Sequence, residues 1–80
     1  LVVVRGCSYT FDVNAPGHPF LLKTVQGSGA GNAYNDGVVN NGTQSGVITW
    51  DVSLAAPDAL FYNCQFHPGM TGTITVIDPM

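Results

Sequence analysis

Apolar and polar positions alternate with a period of two in several short stretches. Between Cys7 and Val13, one face carries Cys7, Tyr9, Phe11 and Val13 and the other Ser8, Thr10 and Asp12, which predicts a half-buried strand. Asn14-Ala15-Pro16-Gly17 ends it as a turn. A second strand is predicted over Phe20–Val25. A third runs over Val47–Leu54, with Ile48, Trp50, Val52 and Leu54 facing inward. Leu60–Cys64 reads as a fourth, burying Leu60, Tyr62 and Cys64, and Thr71–Ile77 as a fifth. Ala55–Asp58 has room for one helical turn or a tight corner. No stretch is long or periodic enough for a substantial helix, so the pattern predicts an all-β antiparallel sandwich or small barrel.

One stretch departs from the regular spacing. Gly27–Gly46 is rich in Gly, Asn and Ser, and loops of this length are uncommon in compact domains unless functional or mobile. A short strand at Val38-Val39 is expected to interrupt it. Asn41-Gly42-Thr43 matches a glycosylation sequon, but in an Asn-rich stretch it reads as a chance match.

Composition narrows the class. Eighty residues make a single domain, residues 1–80. The only basic side chains are Arg5 and Lys23, against five aspartates and no glutamate, for a net charge of −3. That balance offers no footprint for phosphate, and nucleic acid is excluded as a partner. The longest apolar run, Leu1–Val4, is far short of the roughly 20 residues a membrane span needs. The chain opens within a strand and without methionine, so a mature chain or part of a larger one is expected.

The chemistry concentrates in Cys64-Gln65-Phe66-His67-Pro68-Gly69-Met70. A thiol, an imidazole and a thioether lie three residues apart on the loop after a buried strand. The other histidine, His18, follows the turn that ends the first strand. A thiolate and two imidazoles with a weak axial thioether are the ligand set of a blue-copper centre. Soft sulfur favours Cu(I), and imidazole suits both oxidation states. Zinc fits less well, because its structural sites take four strong N, S or O donors. Without a metal, His18, His67 and Met70 would each be ordinary surface or filler residues, as Met80 at the end of the chain is.

The segments Val4-Arg5-Gly6…Tyr9-Thr10-Phe11, Gly17-His18-Pro19-Phe20 and Tyr62-Asn63-Cys64…His67…Met70-Thr71-Gly72-Thr73-Ile74 resemble the cupredoxins, the blue (type 1) copper domains. The resemblance covers most of the chain except Gly27–Gly46. The spacing from Cys64 through His67 to Met70 is similar to the amicyanin and pseudoazurin branches and shorter than in plastocyanins. It implies a Greek-key β-sandwich binding one copper ion, with His18, Cys64 and His67 as equatorial ligands and Met70 as the axial one. Function would then be one-electron transport between redox partners, not catalysis, since four protein ligands leave no open position. The partner would be a redox protein meeting the uncharged surface around His67, through a small contact that varies little with ionic strength. Periplasmic or secreted placement follows from the family alone.

Two departures from the family stand out. Pro19 occupies a position where cupredoxins carry asparagine, whose backbone N–H holds the ligand sulfur, and proline has none to give. The strand that normally leads the Val-Arg-Gly segment is missing or truncated, which predicts an exposed sheet edge or a pairing partner outside this chain.

Other readings use the same residues. Asp58…Tyr62-Asn63-Cys64, with Cys7 and Trp50, also resembles the Cys…Trp…Cys pattern of immunoglobulin domains, which implies a Cys7–Cys64 disulfide and a copper-free binding or adhesion module. Against it, Cys7 lies six residues before Val13, about 20 Å along a strand at ~3.3 Å per residue, at the end away from His18. Without the disulfide, Cys7 is expected to be a small buried hydrophobe and Trp50 core. A copper storage or sensing domain is the remaining alternative.

Overall fold

Tyr9, Phe11 and Val13 stand directly opposite Trp50, Ile48 and Gly46, and this cross-strand set forms one wall of the interior. The computed structural model describes residues 1–79, so Met80 lies outside the described residues. Seven strands appear among them: β1 (Val2–Val4), β2 (Ser8–Asn14), β3 (Phe20–Lys23), β4 (Val38–Val39), β5 (Ser45–Asp51), β6 (Ala59–Cys64) and β7 (Thr71–Ile77). One sheet has the order β1-β7-β6-β3 and the other β2-β5-β4. The described residues contain no helix, and the all-β sandwich expected from the alternation is what forms.

The inward faces meet in a core of Val3, Leu22, Trp50, Val52, Leu60, Ile74 and Val76, with Tyr34 and Ala56 at its margins. Trp50 is fully buried, so its truncation to alanine would cost about 3–5 kcal/mol. Gly72 lies opposite Tyr62, and a Cβ there would overlap the phenol ring. The missing side chain is what lets Tyr62 lie across β7 and stack on Phe20 at a centroid distance of 5.5 Å.

Both basic side chains are turned inward. Arg5 is buried, donating through Nε and Nη2 to the carbonyl of Ala56 and through Nη1 and Nη2 to Asp78 and Asp58. The Asp58 hydrogen bond, followed by Asp78 and set against some loss of hydration, raises the guanidinium further above its usual range. Lys23 is only 2% exposed.

Several expectations are corrected. The third strand stops at Asp51 and not at Leu54. Val52 still bonds to the Cys7 carbonyl, but Ser53 Oγ then accepts from the Ala55 N–H, the chain turns, and Leu54 is 75% exposed. The second strand ends at Lys23, two residues before Val25. Cys7 is exposed, because the turn at Arg5-Gly6 delays the start of β2 to Ser8. The leading strand, by contrast, is truncated as expected: β1 has three residues, parallel to β7 at the sheet edge, with Val2 exposed.

The Gly27–Gly46 stretch is held by specific bonds. Tyr34 N–H donates to the Leu22 carbonyl, and Val38-Val39 pairs with β5 as expected. The side chain of Asn41 accepts from the Leu22 N–H, and its Nδ2 lies 3.0–3.1 Å from the Leu22 and Tyr34 carbonyls and Asn35 Oδ1. The sequon asparagine is thus a structural pin.

Candidate metal centre

The site forms where two sheet-end loops converge. β2 ends at Asn14, and the following turn closes with His18 N–H donating to the Ala15 carbonyl. Gln44 braces this turn, its backbone carbonyl accepting from Ala15 and its Oε1 from the Gly17 N–H. The next strand, β3, pairs with β6 so that Phe20 stands opposite Cys64. That register brings His18 beside the end of β6.

The loop after β6 is closed by its own backbone. Cys64 N–H donates to the Met70 carbonyl at 2.8 Å, and Met70 N–H donates to the His67 carbonyl at 3.0 Å. Gln65 N–H reaches the Pro19 carbonyl at 3.0 Å, tying this loop to the residue after His18.

Three donor atoms meet as a result. Cys64 Sγ lies 3.4 Å from His67 Nδ1 and 3.6 Å from His18 Nδ1, and the two ring nitrogens are 3.2 Å apart. A triangle with these sides has a point about 2.0 Å from every corner, within the range of metal–nitrogen bonds and a few tenths of an ångström short of a metal–sulfur bond. His18, Cys64 and His67 can therefore hold a metal ion. The sulfur is buried, His18 half-buried and His67 exposed, so the cluster opens to solvent on the His67 side.

Beside the triangle is a cavity of about 410 Å³ lined by Ala15, His18, Phe20, Tyr62, Cys64, Gly69, Met70 and Thr71. None of these side chains is a carboxylate, a lysine or an arginine. Met70 stands on the wall of this cavity and is half exposed. Its backbone is fixed by the loop, and it shares this cavity with His18 and Cys64.

The sulfur receives no backbone N–H among the described residues. Pro19, which follows His18, is buried and has no N–H to give. The disulfide reading is overturned, because both cysteines are free, Cys7 exposed and Cys64 buried against the two imidazoles. Cys7 instead accepts from Val52 N–H, next to the far end of β5.

Residues that sequence patterning passed over also shape the site. Gln44 orders the His18 turn. Asn63, fully buried, donates to the carbonyls of Cys64 at 2.8 Å and His67 at 3.4 Å. The only available signal was a polar residue adjoining the cysteine on a buried strand. Compared with family models, curated proteins and solved structures, the chain gives no match.

Proposed function

We propose that this domain is a mononuclear type 1 (blue) copper protein that carries single electrons between redox partners. The observation that carries the reading is the meeting of Cys64 Sγ with two imidazole nitrogens at the corners of one small triangle. One thiolate with two imidazoles is the equatorial donor set of such centres, and a thioether such as that of Met70 is their weak fourth donor. A copper ion held there supplies a one-electron couple.

The protein's part is to fix the donors. Cys64 and His67 are set by one closed loop and His18 by a braced turn, so little rearrangement is needed as charge changes. With Met70 as fourth donor no position remains for substrate, which makes the domain a carrier and not an enzyme. His67 is the ligand exposed to solvent and hence the exit for the electron. Around it lie Phe66, Pro68, Gly69 and Met70, all exposed and uncharged, a surface suited to a short-lived contact with a redox protein. Periplasmic or secreted placement completes the proposal.

Adding Cu(II) to the purified protein tests it. An intense visible thiolate-to-copper band that disappears in Cys64→Ser is expected. A colourless adduct, or a band that survives the substitution, would overturn the reading.

A further inference from the structure

Lys23 is the last residue of β3 and is 2% exposed, with no carboxylate paired to it among the described residues. A buried amine of this kind is tolerated only when its hydrogens are bonded. Its Nζ finds three acceptors in one turn: the carbonyls of Gly27 at 2.6 Å, Gly29 at 3.1 Å and Ser28 at 3.3 Å. For three successive carbonyls to converge, Gly27 and Gly29 adopt φ of 136° and 87°, conformations that side chains disfavour. Lysine and glycine turn therefore specify each other.

The N–H groups of the same turn face the metal centre. Gly27 donates to Asn63 Oδ1 at 3.1 Å, and Gly29 donates to the Gln65 carbonyl at 2.5 Å. Asn63 passes the constraint on through its two bonds to the Cys64 and His67 carbonyls. Gln65 passes it to Pro19, beside His18. A continuous set of hydrogen bonds thus joins one buried amine to all three ligand-bearing segments.

We propose that Lys23 and Asn63 are positioning residues of the metal centre, holding the Cys64–His67 loop in ligand geometry through the Gly27–Gly29 turn before an ion arrives. The identity of that ion rests on the copper reading above; the clamp itself does not. Partners of this kind, one bond removed from the ligands, are commonly worth about 10–100-fold in metal affinity.

Lys23→Met separates positioning from space filling. Methionine matches much of the length and needs no acceptors, so a lysine that only filled the interior would be replaced without harm. In the metal-free protein, amide exchange at Gly27, Gly29 and Gln65 should speed up by roughly tenfold or more while β2 and β5 amides stay protected. Copper loaded as Cu(II) should leave for a chelator roughly tenfold faster, with the visible band displaced. Asn63→Asp keeps the acceptor for Gly27 but loses both donated bonds, so it should speed release while leaving the Gly27 amide protected.

Should Lys23→Met fail to fold, Gly29→Ala strains only the turn, since no atom lies within 4 Å of the added Cβ. Wild-type exchange and release rates in Lys23→Met, or in Gly29→Ala if that variant must stand in, would overturn the proposal. A wild-type protein that takes up Cu(II) without a visible band defeats the copper reading instead, and the exchange rates of the metal-free chain still decide the clamp.

Discussion

His18 and His67, 49 residues apart in the chain, meet Nδ1 to Nδ1 at 3.2 Å. The rings tilt by 38° with centroids 4.7 Å apart, so neither stacking nor a deep pocket accounts for the approach. Both nitrogens also lie against Cys64 Sγ. Removing either histidine should therefore leave an incomplete triangle. His18→Ala and His67→Ala should each lose the visible band and weaken copper binding by more than roughly 100-fold, beyond what an outer partner is worth. Competition against a chelator of known affinity measures this, and retention of tight binding in either variant would contradict the assigned ligands.

No backbone N–H reaches Cys64 Sγ among the described residues, and Pro19, next to His18, has none to offer. On the copper reading proposed above, the N–H that Pro19→Asn introduces donates to the thiolate, as the cupredoxin resemblance implies, and such a donor withdraws electron density and favours the reduced ion. The reduction potential should rise by some tens of millivolts, on the order of one modest hydrogen bond at 59 mV per tenfold change in a one-electron equilibrium. Protein-film voltammetry gives the answer directly; an unchanged or lower potential would show that the sulfur is not short of a donor.

Tyr34 supplies the pH dependence. Its hydroxyl is buried without a hydrogen-bond partner. Burial, reinforced by the charge of Asp36, raises its ionisation above the usual phenol value of 10.0. The unfolded chain then loses its proton before the folded one does. Stability from this group is full below pH 10, falls as the pH climbs through the unfolded value, and is gone once the folded phenol ionises. Urea midpoints between pH 9 and 11 should drop less in Tyr34→Phe than in wild type. At pH 7 the same variant should be neutral or more stable by up to about 1–3 kcal/mol, because it removes an unsatisfied buried group.

Asn41 is the remaining test. Its side chain bonds to Leu22, Tyr34 and Asn35, leaving nothing free to carry a sugar in the folded chain. Asn41→Ala should cost about 1–3 kcal/mol, read by chemical denaturation. Once folded, the protein should resist modification at this sequon in a glycosylating system, as its intact mass would show.

The strands were legible wherever a period of two ran uninterrupted. Thr71–Ile77 matches β7 residue for residue. Alternation misled at strand ends, where the turn after Asp51 carries Leu54 outward and the turn at Arg5-Gly6 leaves Cys7 exposed, and within β6, where Asn63 is fully buried and Tyr62, expected inside, only partly. The donors Cys64, His18 and His67 were legible because few residue types make strong metal bonds and each sits beside a strand end. Their bracing was not. Nothing local to Lys23 says that a lysine ending a strand will be buried, since its acceptors lie on a turn defined by glycine conformation. Asn63 and Gln44 act through backbone atoms of distant segments, which patterning along one segment does not register.

The inward placement of Arg5 and Lys23 has one more effect. With both cationic side chains spent inside, the described side chains outside are neutral or acidic, and all five aspartates are exposed. Asp58 and Asp78 are paired with Arg5, so the surface charge rests on Asp12, Asp36 and Asp51, with no exposed Lys or Arg among the described residues to offset it. Copies of the molecule should repel one another at low salt, stay apart in concentrated solution, and be held back by an anion exchanger at neutral pH.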